Sequence, residues 1–153
     1  MFLHGLDSSS QGRKARLLAS LGVETPDFRG DLAARMAQLE PLLGSERWVL
    51  IGSSFGGLMA ALWTLRHPAR VHRLILLAPA FHRPDFVVER PVDVPTLLVH
   101  GTRDTVVPHE LARARAGEAF SHLRVEWVDD DHRLEATARH LDWPALMGNR
   151  SCI

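Results

Sequence analysis

One serine, framed by glycines between a strand-like run and a helix-like run, narrows the possible folds of this chain more than any other feature. Residues 48–65 read WVLIGSSFGGLMAALWTL. Residues 48–51 are a continuous apolar run of buried-strand length. Gly52-Ser53-Ser54-Phe55-Gly56-Gly57 breaks it, and residues 58–65 resume with the Ala, Leu and Met that favour a helix. The reading is strand, tight turn, helix, with Ser54 at the apex of a Gly-x-Ser-x-Gly frame. So sharp a turn strains its central residue, and a Cβ at position 52 or 56 would crowd the neighbouring strand or helix, which is why glycine stands there. The result is a hydroxyl presented at the carboxyl end of a strand and the N-terminus of a helix, where it can attack. Ser53 lies one residue off the frame and is the decoy. The competing reading of Ser54 is a plain turn serine.

Around this unit the chain alternates. Residues 1–4 read as a strand and 11–21 as a helix closed by Gly22. A short strand is expected at 23–25 and a helix after Asp31, its N-cap, with Leu32, Met36, Leu39 and Leu43 on one face and a kink at Pro41. Residues 71–78 and 96–100 are two further buried strands, 108–120 a helix, 123–128 the last strand, and 133–141 the last helix. Residues 148–153 are expected to fray. Strands alternating with helices predict a mostly parallel sheet covered on both faces, a three-layer α/β/α sandwich. At 153 residues one domain over 1–153 is expected.

In such sheets ligands sit beyond the carboxyl ends of the strands. Leu6, Ser54, Asp104 and His132 each fall just past the end of a separate strand, so four stations are expected to converge on one edge. The loop His4-Gly5-Leu6-Asp7-Ser8-Ser9-Ser10 is rich in Gly and Ser and leaves backbone N–H groups free to face an anion. Alone, its default reading is an ordinary turn into the next helix. His132 follows Asp129, Asp130 and Asp131. A base reaching Ser54 belongs in that loop, although a surface histidine beside three carboxylates would look the same. Asp104 lies in a turn, where Asp is common in any case. His4 and His100 each precede a glycine at a strand end and are expected to pack or fix loops. The remaining histidines lack metal-ligand spacing, so no metal and no cofactor are expected. The longest stretch without predicted structure, 79–95, carries Phe81, Phe86, Val87 and Val88, which are expected to wall the substrate site.

Lys plus Arg and Asp plus Glu balance at 18 each, which gives no field for nucleic acid or an anionic membrane and leaves a small molecule as the expected partner. The single cysteine, Cys152, cannot form an internal disulfide, and no signal peptide or spanning segment is read, so a cytoplasmic setting is expected. The oligomeric state is not legible.

Taken together, HGLDSS at 4–9, GSSFGG at 52–57, GTRDTVVP at 101–108 and DDDH at 129–132 resemble the α/β-hydrolase superfamily over residues 2–141. The opening LHGLDSS with a basic helix resembles its small, uncapped YqiA-type esterases. The resemblance implies Ser54 as nucleophile, His132 as general base and acid, Asp104 as orienting carboxylate, and an oxyanion hole from the N–H groups of Leu6 and Phe55. The chain order Ser, Asp, His matches the order of that superfamily's triad. Against the superfamily's fuller pattern, the chain enters at what would be the third strand, and the 79–95 loop stands where a cap domain would be. A serine esterase acting on carboxylic esters, with thioesters open to the same chemistry, is the expectation. A hydrolase-shaped binding module without turnover is the alternative. A nucleotide-binding domain using residues 52–57 is disfavoured, because the P-loop lysine and the Gly-x-Gly-x-x-Gly fingerprint are both missing.

Overall fold

Apolar runs buried on both faces become the interior strands of a parallel sheet, and this sequence supplies them in series. The computed structural model describes residues 1–148, so Cys152 and all of the expected frayed tail after Gly148 lie outside the described residues. Strands β1 (Phe2–Leu3), β2 (Trp48–Ser53), β3 (Val71–Leu77), β4 (Thr96–Gly101) and β5 (Leu123–Val128) form one sheet in that spatial order, each neighbouring pair parallel. The helices are α1 (Arg13–Ser20), α2 (Leu32–Leu43), α3 (Phe55–Arg66), α4 (His109–Ala119), α5 (Glu135–His140) and α6 (Trp143–Leu146).

The register sorts side chains into two rows. Phe2, Ile51, Ile75 and Leu97 align on one face and pack with Ala15 and Leu18 of α1, Ala138 of α5 and Trp143 of α6. Leu3, Leu76 and Leu98 face the other way, toward Leu39 and Leu43 of α2, the length of α3, and Ala116 and Ala119 of α4. The three-layer α/β/α sandwich follows, with a wholly parallel sheet. Helix α3 is buried from residue 55 through 64, as its unbroken apolar sequence requires of a helix covered on every side.

Two local expectations change. Residues 23–25 form no strand, because the Glu24 carbonyl accepts one bond from the Phe2 N–H and the pairing goes no further. As expected, Asp31 caps α2 by accepting from the Ala34 N–H at 2.9 Å, and the helix runs on through Pro41 to Leu43. The helix expected at 133–141 is the shorter α5, ended where Leu141 turns extended, and α6 follows it beyond the expected bounds. No helix among the described residues is long and apolar enough to cross a membrane.

Candidate active site

The strands end on one edge, and the site is built there from the turns that follow them. After β2 the chain turns so tightly into α3 that Ser54 takes φ 55° and ψ −116°, a region costing a residue with a side chain about 1–3 kcal/mol. The surroundings hold it there. The Ser54 N–H donates to the Leu77 carbonyl at 3.0 Å, and the Ser54 carbonyl accepts from the N–H groups of Ala80 at 2.9 Å and Leu58 at 3.1 Å. The flanking glycines are demanded by backbone contact. A Cβ on Gly56 would lie 2.0 Å from the Leu3 carbonyl oxygen, and one on Gly52 would lie 2.5 Å from that of Gly56.

The Ser54 hydroxyl lies 2.9 Å from Nε2 of His132, in the turn after β5. Nδ1 of His132 is 2.7 Å from Oδ2 of Asp104, in the turn after β4. A carboxylate only accepts, so Nδ1 carries the proton, and Nε2 is left bare to accept from the serine. Asp104 is wholly shielded from solvent. Burial alone would push its carboxyl up; the Val107 N–H, His132 and the Val106 N–H together outweigh that and hold it below the ordinary carboxylate value. Asp129, Asp130 and Asp131 go elsewhere. Asp129 pairs with Arg103, Asp130 accepts from the N–H and hydroxyl of Thr137, and Asp131 accepts from the Arg133 N–H.

The loop after β1 passes close by, with the Gly5 position 3.5 Å from Ser54 Cβ when a Cβ is built on it. His4 fixes that loop as expected, its Nδ1–H donating to the Gly5 carbonyl at 2.7 Å and its Nε2 accepting from the Phe28 N–H at 3.0 Å. Leu6 and Phe55 both border the cavity over Ser54. The Phe55 N–H opens α3, where no intrahelical acceptor exists for it.

A cavity of about 670 Å³ opens over Ser54 and His132. Its walls correct the expectation for the 79–95 loop. Phe81 and Phe86 are buried in the core, stacked at 3.9 Å and 1° between ring planes, and neither reaches the cavity. Val87 is 64% exposed and borders a separate groove beside Leu62 and Leu65 of α3. Two large aromatic rings lose more by facing water than by stacking under the sheet edge, and the polar residues between them turn outward instead. Ala80, His82 and Arg83 are what the loop contributes to the cavity. Of the basic residues at the rim, Arg13 and Lys14 entered the sequence reading only as part of a basic helix, and Arg83 did not enter it, since a single charge on a loop carries no pattern.

A family model for the alpha/beta hydrolase fold matches residues 3–94. A crystal structure of an alpha/beta superfamily protein from Xanthomonas campestris superposes with a TM-score of 0.73 at 29% identity, covering 90% of each chain. A predicted CIB-like hydrolase from Thermoplasma acidophilum gives a TM-score of 0.70 at 27% identity, over 90% of this chain and 81% of that one. The homoserine O-acetyltransferase of Thermus thermophilus is 46% identical over 55 residues, which is 35% of this chain but only 14% of that relative's length. With its model matched across more than half of the described sheet and its elbow, the chain belongs to the alpha/beta hydrolase fold family.

Proposed function

We propose that this protein is a serine hydrolase that cleaves carboxylic esters through an acyl-enzyme, with Ser54, His132 and Asp104 as its triad. One observation carries the reading: Ser54 Oγ, His132 and the buried Asp104 carboxylate form an unbroken chain with links of 2.9 and 2.7 Å at the floor of an open cavity. In the first step His132 Nε2 takes the Ser54 proton as Oγ attacks the ester carbonyl. The N–H groups of Leu6 and Phe55 hold the oxyanion of the tetrahedral intermediate. The intermediate collapses as the imidazolium returns its proton to the departing alcohol. Water, deprotonated by the same nitrogen, then releases the acid and restores Ser54.

The acyl group is proposed to be short or compact. The cavity's apolar side chains, Leu6, Phe55 and Val106 among them, are interspersed with Asp7, Arg13, Lys14, Arg83 and Arg133, and a mixed lining of that kind favours a long run of methylenes, worth about 0.8 kcal/mol each when buried, less than an apolar tunnel would. The acetyl group in the name of the Thermus relative is a compact acyl group. The test is titration with a fluorophosphonate, followed by turnover of p-nitrophenyl esters of graded acyl length. One equivalent of label on Ser54, with kcat/KM greatest for short chains, is the expected result. A protein that takes up no label and hydrolyses no ester would end this reading, and a profile rising to long chains would end its substrate half.

A further inference from the structure

His100 ends β4, four residues before Asp104, and is completely buried. Its Nε2 faces two acceptors, the Val107 carbonyl oxygen at 2.9 Å and Asp104 Oδ2 at 3.2 Å. Nε2 therefore carries the proton. Nδ1 is buried with no hydrogen-bond partner among the described residues, and burial, opposed by the Val107 carbonyl and by Asp104, holds the ring's affinity for a second proton below its ordinary value. The ring is thus a neutral donor on the side of Asp104 away from His132.

Its position closes a loop of contacts. The Nε2–H of His100 holds the carbonyl of Val107, while the N–H of Val107, with that of Val106, donates to Asp104 Oδ1 at 2.8 Å. The turn bearing the carboxylate is thereby tied to the end of β4. The remaining oxygen, Oδ2, lies between two imidazoles, with His132 at 2.7 Å on the solvent side and His100 at 3.2 Å on the buried side. A carboxylate so placed has little freedom to rotate away from His132. An unpartnered buried nitrogen costs stability, so a ring whose only service was packing would be replaceable by an apolar side chain at no loss.

We infer that His100 is a positioning residue for the Asp104 carboxylate, pinning through Val107 the turn that aims Oδ2 at His132. The inference rests on the proposed triad for its kinetic consequence but not for its structural one. The test compares H100L, which fills similar space without a donor, with H100Q, whose amide nitrogen can stand near the place of Nε2. Each is assayed for kcat and KM on a short p-nitrophenyl ester. Solvent exchange of the His132 Nδ1 proton is followed by NMR, and thermal melting checks the fold. In H100L, kcat falls roughly tenfold to a hundredfold, the loss expected when a charged acceptor loses a fixed hydrogen-bonded frame. KM stays as in the wild type, the Nδ1 proton exchanges faster, and H100Q restores most of both. Should H100L not fold, H100N takes its place, its amide stopping short of the Val107 carbonyl.

Wild-type kcat and wild-type protection in a folded H100L protein would overturn the inference. Equal damage in H100Q and H100L, with the Nδ1 proton as protected as in the wild type, would overturn it as well and leave only packing. If the wild-type protein turned over no ester, the functional reading would fall. The exchange of the Nδ1 proton would still decide between the two views of His100.

Discussion

The elbow around Ser54 and the connection between β3 and β4 line the same end of the sheet, yet they are determined in opposite ways. In the elbow, backbone meets backbone: the atoms that exclude a side chain at Gly56 and Gly52 are carbonyl oxygens of Leu3 and Gly56, which no rotamer change can move aside. In the connection, backbone bonds fix Ala78 and Ala80 at the start and Pro95 at the end, and between them side chains hold the course. Phe81 stacks on Phe86, and the guanidinium of Arg115 from α4 lies 5.3 Å from the Phe86 ring and donates to the Phe86 carbonyl. Between those ends, one isolated bridge, Val92 to Phe120, is the pairing found among the described residues. Constraint by backbone leaves a signature in residue type, because only glycine satisfies it. Constraint by packing is satisfied by any apolar residue that finds a partner, and the sequence does not name the partner.

The sharpest way to break this contrast is at Gly56. A methyl group there overlaps the Leu3 carbonyl, and since both atoms belong to interior elements, α3 and β1 would have to separate. The expected outcome for G56A is protein with no cooperative thermal transition. A soluble G56A protein melting near the wild-type temperature would mean that the elbow yields more than its contacts allow.

Next in size are changes that keep the elbow and remove its chemistry. S54A should lower ester turnover on the order of a thousandfold or more, and D104N by a similar or larger factor through loss of the correct His132 tautomer. S53A should keep most activity, since the Ser53 side chain is not among the groups hydrogen-bonded to His132. If S53A were the inactive variant, the frame would have been read one residue out of register. D130N separates the carboxylates from the other side: Asp130 serves the Thr137 N–H and hydroxyl, so that change should touch the start of α5 and spare turnover.

These expectations also mark how far the sequence could be read. The alternation of strands and helices, the frame at 52–57 and the convergence of Ser54, Asp104 and His132 on one edge were legible, because each depends on local pattern and on the direction parallel strands impose. That Asp104, and not Asp129, Asp130 or Asp131, stands against Nδ1 of His132 was legible because residues adjacent to a histidine in one loop seldom reach its far nitrogen. The walls of the cavity were not. Phe81 and Phe86 could equally have faced the substrate or the core. What decided between them was the space left beneath the loop by Ala80, α3 and α4, which exists only after folding. The role of His100 was half visible: a histidine ending a strand suggested a loop-fixing residue, but the carboxylate it touches is four residues away across a turn.

F86A measures the packing side of the contrast. Removing a ring that is fully buried and stacked leaves a cavity in the larger core, and the usual cost is about 3–5 kcal/mol. The expected result is a large fall in melting temperature with KM for short esters unchanged. A raised KM with normal stability would instead return Phe86 to the wall of the site.

The smallest effect has the opposite sign and tests whether it is contact, rather than the mere presence of glycine, that marks the elbow. Gly117 lies on the exposed side of α4, and a Cβ built on it meets nothing within 4 Å. Its backbone is helical, so alanine fits without strain. Alanine also narrows the conformations open to the unfolded chain and restores helix propensity, a gain of about 0.5–1 kcal/mol. G117A should therefore raise the denaturation midpoint slightly, leave the m-value and ester turnover as they were, and do so in the same chain in which G56A destroys the fold. A destabilised G117A protein would show that α4 carries on that side a contact absent from the described residues, and glycine there would then need the same kind of explanation as glycine at 56.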